Sequence, residues 1–213
     1  GSFYQPELVL SDTEFLKTLN RKELICGYGE ILKHSLLQGT NNFNYLDKNF
    51  NNILNLKEPF LSNSILYSCR IKKKIVEKDV NEKDTRKILN LGHTFGHAYE
   101  AAAGYKKKLN HGEAVILGLK SSIKFSLKKR IMAKKNYIKI INHIESLKFK
   151  LNLKNFFSKR DIDNLIRFMT NDKKNNSNKI NLILLKDIGK PTINKTFTPK
   201  EIKKFFLSEL INI

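Results

Sequence analysis

Three of the five histidines fall in one stretch, Asn90 to Gly118, reading NLGHTFGHAYEAAAGYKKKLNHGEAVILG. His93 and His97 are four residues apart, so on a helix they share a face one turn from each other. Glu100, three residues further on, falls beside His97. His111-Gly112-Glu113 opens a second helix and brings a third imidazole back toward the first two. Imidazole with carboxylate is the ligand chemistry of a zinc site. Gly92 and Gly96 each cost roughly 1 kcal/mol in a helix interior relative to alanine, which implies that something approaches the backbone closely there. Ala98 and Ala101 to Ala103 keep the helix thin, and Gly104 is placed to stop it. A histidine pair that merely packs or faces solvent is the alternative; three His and two Glu among glycines favour a metal or anion site.

A second group lies upstream, in RKELICGYGEILKHSLLQ (Arg21 to Gln38). Glu30 and Lys33 are three apart on this helix and share a face. That pair is either an ordinary surface ion pair, worth a few tenths of a kcal/mol, or part of a site that Gly27 and Gly29 open to close approach.

The elements that position these groups are mostly helical. A turn over Glu14 to Leu19 precedes the Arg21 helix, and Leu8 to Leu10 reads as a short strand. Helices follow over Asn41 to Leu56 and Glu58 to Asp79, and Asn81 to Ile88 carries Arg86 up to the histidine stretch. Lys72, Lys73 and Lys74 cannot all face one way, so one of them is expected to point inward. Two more helices are expected, about Lys134 to Leu147 and Lys159 to Thr170. INLILLKDIGKPTI then reads as a β-hairpin turning at Asp187 to Pro191. A last helix begins with the capping box Thr198/Glu201 and Pro199 at its first position. The fold class is mainly α, one helical domain with a small β-hairpin.

At 213 residues the chain can bury a sizeable core. Forty Lys and Arg against twenty Asp and Glu give a formal charge of +20, which suits an anionic ligand. The lysines are spread along the chain among Asn and Ile, and the aromatics follow core periodicity, so a nucleic-acid partner is not expected. Cys26 and Cys69 sit in apolar patterns without CxxC spacing and are expected to be reduced core residues. No apolar run reaches the length of a membrane span, so a cytoplasmic protein without a membrane partner is the expectation. Neither a GxGxxG nor a P-loop motif occurs.

FYQP, the GYGEILKHSLL helix, LNLGHTFGHAYEAAAGY, HGEAV and the NDKK loop together resemble the 3-dehydroquinate synthase family, specifically its C-terminal helical domain. The match runs over nearly the whole chain. The resemblance implies conversion of 3-deoxy-arabino-heptulosonate 7-phosphate to 3-dehydroquinate and phosphate in the shikimate pathway, with NAD and a divalent metal, Zn2+ or Co2+. It implies that Glu30, His93 and His111 are metal ligands. It moves His97 from the metal to substrate phosphate. Lys33, Lys72, Arg86 and Asn90 match catalytic and substrate-binding positions, Lys173 matches a phosphate contact, and Phe15, Leu16, Lys17 and Thr18 match a stretch that touches NAD. The family's N-terminal α/β domain, which holds most of the NAD site, has no counterpart in residues 1–213, so turnover by this chain alone is not expected. A homodimer of the full-length enzyme is compatible with the resemblance. His34 stands where the family usually has tyrosine, and Lys106-Lys107-Lys108-Leu109-Asn110 departs from the family's loop before His111. Other sugar-phosphate cyclases share the architecture, and a metal-binding helical module without catalysis would share the ligands.

Overall fold

The computed structural model describes residues 4, 6–104, 109–148, 151–171 and 179–211. Eight helices and one hairpin are seen among them: α1 (Arg21–Gln38), α2 (Thr40–Leu54), α3 (Phe60–Lys78), α4 (His93–Ala103), α5 (His111–Lys128), α6 (Lys134–Ser146), α7 (Ile162–Thr170), β1 (Ile180–Asp187), β2 (Lys190–Phe197) and α8 (Pro199–Leu210). Short 3-10 turns at Thr13–Thr18 and Thr85–Asn90 precede α1 and α4.

Side chains set the starts of α1, α5 and α8. Asn20 accepts a hydrogen bond from the Glu23 amide at the head of α1. At α5 the capping box is complete: Asn110 Oδ1 accepts from the Glu113 amide, and Glu113 Oε2 accepts from the Asn110 amide, both at 2.9 Å. The expected box of Thr198 and Glu201 with Pro199 starts α8.

Helix α5 is the hub, packing against α1, α4, α6 and β1. Its contact with α4 is backbone on backbone. A Cβ on Gly96 would lie 2.9 Å from the Ala114 carbonyl oxygen, and one on Gly118 would lie 2.2 Å from the Gly92 oxygen. Gly92 also has φ +82°, a left-handed conformation that favours glycine. The close approach read from Gly92 and Gly96 is therefore real, but the approaching group is helix α5, not a ligand. Glycine here lets two helices touch.

On the far side of α5, Phe95, Tyr99, Phe125, Phe205 and Phe206 form an aromatic cluster that ties α4 and α5 to α8. Helix α1 is fixed by a polar chain that runs from buried Tyr28 and His143 to the exposed Asp47. Tyr28 Oη lies 3.0 Å from His143 Nε2 on α6, and His143 Nδ1 lies 2.8 Å from Asp47 Oδ1 on α2. The two strands pair antiparallel, Ile180 opposite Phe197 and Asp187 opposite Lys190. At the turn the Gly189 amide donates to the Leu36 carbonyl of α1 at 2.7 Å.

Three expectations change. Leu8 to Leu10 is not a strand but exposed coil, because the sheet is a two-stranded hairpin that offers these residues no partner. Cys69 is exposed, unlike the buried Cys26. Lys72, Lys73 and Lys74 are all exposed, the α3 face toward the core being made by Ile71 and Ile75. Among the described residues no helix is long and apolar enough to cross a membrane.

Candidate metal centre

Glu30 and Lys33 come from the middle of α1, where the helix passes the N-terminal turn of α4. Lys33 is only 3% exposed, and its ammonium donates to Glu30 Oε2 at 2.7 Å. A lysine this enclosed needs a charged partner, so the pair is not an ordinary surface bridge. His93, the first residue of α4, points its Nε2 at Glu30 Oε1 at 4.0 Å. That oxygen is buried and has no hydrogen-bond partner.

Electrostatics keep the imidazole neutral. Burial, reinforced by the Lys33 charge, lowers His93 to about 4 despite the opposing pull of Glu30. Burial tends to raise Glu30, but the charge and hydrogen bond of Lys33, with His93, outweigh it and hold the carboxyl below its ordinary value. An ionised carboxylate and a neutral imidazole are both in the protonation state a cation needs. Closing their 4.0 Å separation to the roughly 3.3–3.6 Å between tetrahedral zinc ligands takes a shift of only a few tenths of an ångström.

His111, the first residue of α5, lines a cleft of about 480 Å³ together with Glu30, Cys26 and Asn110. Its Nδ1 lies 3.1 Å from Glu100 Oε2. His111 also borders a second cavity, about 590 Å³, whose lining includes His97 and Glu100. Among the described residues no three His, Cys, Asp or Glu side chains converge tightly enough to cage an ion. The structure thus brings Glu30 and His93 together and leaves His111 on the wall of a cleft that Glu30 also lines. His97 is exposed and sets its ring edge-on to His93, centroids 5.3 Å apart.

Lys72 on α3 lies near enough to His34 for its charge to lower that histidine. Asn90 donates to Glu82 Oε1 at 2.6 Å, and the Arg86 guanidinium donates to the Val80 carbonyl, also at 2.6 Å. The turn holding them is organised by Asp79, whose carboxylate accepts the amides of Lys83, Asp84 and Arg86. Glu82 is a member of this group that the sequence did not single out; φ +55° at a non-glycine residue is its mark in the structure. Phe15, Leu16, Lys17 and Thr18 form the 3-10 turn before α1, with Phe15 71% exposed and Leu16 lining an apolar cavity that Tyr28 and Ile31 also border. Lys173 and the Lys106–Lys108 loop lie outside the described residues.

His34 is buried on the other side of Glu30. Its Nδ1 bonds Ser68 Oγ at 2.7 Å and its Nε2 lies 4.0 Å from Glu30 Oε2. Burial, with the Lys33 charge, lowers His34 to about 4. The folded state therefore holds a neutral ring where the unfolded chain, with a pKa near 6.5, takes up a proton. Stability is present above pH 6.5 and is lost as pH falls from there toward 4. Urea midpoints measured across that window should fall, and His34→Gln should flatten the slope. An unchanged slope would show that His34 is accessible to protonation in the folded state.

Residues 27–175 match the family model described as 3-dehydroquinate synthase C-terminal. The chain is 51% identical over 210 residues to the 3-dehydroquinate synthase of Pelagibacter ubique (strain HTCC1062), covering 99% of this chain and 57% of that protein. Against the 3-dehydroquinate synthase of Alkaliphilus metalliredigens (strain QYMF) identity is 38% over 211 residues, again with 99% and 57% coverage. The chain thus spans little more than half the length of these curated relatives. A 2-deoxy-scyllo-inosose synthase crystallised with carbaglucose-6-phosphate, NAD+ and Co2+ superposes with a TM-score of 0.82 at 22% identity, covering 99% of this chain and 58% of that one. The 2-epi-5-epi-valiolone synthase of Streptomyces hygroscopicus subsp. jinggangensis 5008, with NAD+ and Zn2+ bound, gives 0.80 at 20% identity, covering 92% and 54%. At these identities the two structures establish a common fold.

Proposed function

Because the chain belongs to the 3-dehydroquinate synthase family through that family's C-terminal part, we propose that it supplies the metal and sugar-phosphate half of a 3-dehydroquinate synthase. The reaction is conversion of 3-deoxy-arabino-heptulosonate 7-phosphate to 3-dehydroquinate and phosphate. The observation that carries the reading is the Glu30–His93 pair, with a buried orphan carboxylate oxygen facing a neutral imidazole.

Glu30 and His93, with His111 from the cleft that Glu30 also lines, would hold a divalent cation, zinc or cobalt. When bound, the metal supplies Lewis acidity toward substrate hydroxyls and NAD supplies a reversible hydride acceptor. The chain's own residues do the rest. Lys33, held by Glu30, presents a cation whose position is fixed before substrate arrives, so its attraction for carboxylate or phosphate needs no reorganisation. Lys72 and Arg86 add charge, Arg86 with the fork suited to an oxyanion, and Asn90 offers an amide. His97, exposed beside His93, is placed to meet phosphate, and Lys173 is assigned there on resemblance alone. Phe15 to Thr18 present an exposed turn to NAD. The dinucleotide itself would be held mainly by an α/β domain of the full-length enzyme, residues 1–213 forming the helical domain.

This division predicts no turnover by residues 1–213 alone. Joining them to the amino-terminal part of the Pelagibacter relative should restore phosphate release from the seven-carbon substrate. Turnover by the isolated chain would refute the division of labour. A folded but inactive joined protein that turns over another sugar phosphate would assign the chain to a different cyclase.

A further inference from the structure

Glu100 takes no part in the ligand set or the substrate contacts assigned above, yet it is the side chain that His111 touches. Its Oε2 lies 3.1 Å from His111 Nδ1. The two residues sit on different helices, Glu100 in the last turn of α4 and His111 at the first position of α5. Both line the second cavity.

The backbone of His111 is fixed independently. Asn110 and Glu113 close the capping box on either side of it, and Glu113 Oε1 pairs with Lys22 of α1 at 3.0 Å. Asn110 Nδ2 donates to Glu23 of α1 at 3.2 Å. Gly112 sits against Cys26, where an added Cβ would fall 2.2 Å from the cysteine Cβ. What the cap leaves open is the ring: its rotation and which nitrogen carries the proton. The side chain of His111 is 62% exposed, and only a specific partner can restrict it.

We propose that Glu100 is the positioning residue for His111. By accepting the Nδ1–H it fixes the tautomer that leaves the Nε2 lone pair free for the cation. This rests on the metal reading of Glu30, His93 and His111. A carboxylate on the far nitrogen of a ligating histidine orients the ring and raises its basicity, and removing such a partner typically weakens metal affinity by roughly 10–100-fold. The pair is an exposed one, so its direct effect on folding is small, and an effect on metal affinity is separable from one on stability.

The test uses the 213-residue chain and zinc alone. Zinc affinity is measured by competition with a chromophoric chelator for wild type, Glu100→Ala and Glu100→Gln, with melting temperatures recorded without metal. Nitrogen chemical shifts of His111 report the tautomer. Glu100→Ala should bind zinc roughly 10–100-fold more weakly and mix the two tautomers. Glu100→Gln, whose amide oxygen still accepts the Nδ1–H, should keep the tautomer and recover part of the affinity. Unchanged or tighter binding by Glu100→Ala would overturn the proposal, as would a wild-type ring already protonated on Nε2. If His93→Ala abolishes zinc binding while Glu100→Ala does not alter it, only the role of Glu100 falls. If His93→Ala leaves zinc binding intact, the metal reading itself falls.

Discussion

Replacing His93 with alanine is expected to strip the chain of its metal. Purified wild type should carry about one zinc per chain, and His93→Ala should carry almost none, read by mass spectrometry of metal content. The reason is specific to this imidazole. Its Nε2 faces a buried Glu30 oxygen that has no other partner, 4.0 Å away, and burial with Lys33 keeps the ring neutral. Removing it takes away one of three donors and leaves that carboxylate oxygen with nothing to share. The loss should exceed the roughly 10–100-fold typical of outer partners. His97→Ala should keep the metal, since that ring is exposed and the resemblance assigns it to substrate phosphate, not to the ion. Equal zinc in wild type and His93→Ala would end the assignment.

The largest expected loss of stability comes from a single methyl group. In Gly118→Ala the new Cβ would meet the Gly92 oxygen at 2.2 Å, the Gly96 nitrogen at 2.6 Å and the Gly96 Cα at 2.9 Å. All three are backbone atoms of the segment that begins α4, so no flexible side chain can swing aside. Overpacking of this kind typically costs about 1–3 kcal/mol, occasionally more; with only backbone to shift, the upper end is expected. Gly27→Ala is the counterpart of opposite sign. Nothing lies within 4 Å of its Cβ position, and it sits inside α1, so alanine should stabilise by roughly 0.5–1 kcal/mol. Urea unfolding of both variants checks the pair. A Gly118→Ala chain as stable as wild type would mean that α4 and α5 can separate without cost.

Where local chemistry decides, the sequence was readable. The bounds of α1 agree with its apolar run, and the Thr198/Glu201 box with Pro199 marked the start of α8. The hairpin and the placement of Glu30 and Lys33 on one helix face were legible for the same reason. What escaped depends on neighbours distant in the chain. Gly92 and Gly96 announced close approach, but only the packing of α5 identifies the visitor as a helix. Nothing in the spacing of Glu30 and Lys33 reveals that the lysine is buried, because α1 is enclosed by elements many residues away. His143 drew no comment in NYIKIINHIES, although Ile140 and Ile144 flank it on the apolar face, and it closes the Tyr28–His143–Asp47 chain. Glu82 went unremarked because its link to Asn90 is made by a turn that Asp79 folds. The resemblance implies Glu30, His93 and His111 as ligands; the contact of Glu100 with His111 appears only in the folded structure.

Helix α1 meets a different neighbour at position after position. Tyr28 bonds α6, Gly29 presses on Ile116 of α5, Glu30 faces α4, His34 bonds α3 and Leu36 receives the hairpin turn. The backbone that carries Glu30 is therefore held by several elements at once, while its side chain stays 43% exposed. One oxygen of that carboxylate is already ordered in the folded chain by the Lys33 ammonium at 2.7 Å. His111 carries a largely exposed ring at a helix start. If Glu30 and His111 share an ion as proposed, adjustment to an ion of different radius would fall first on the more exposed His111 ring.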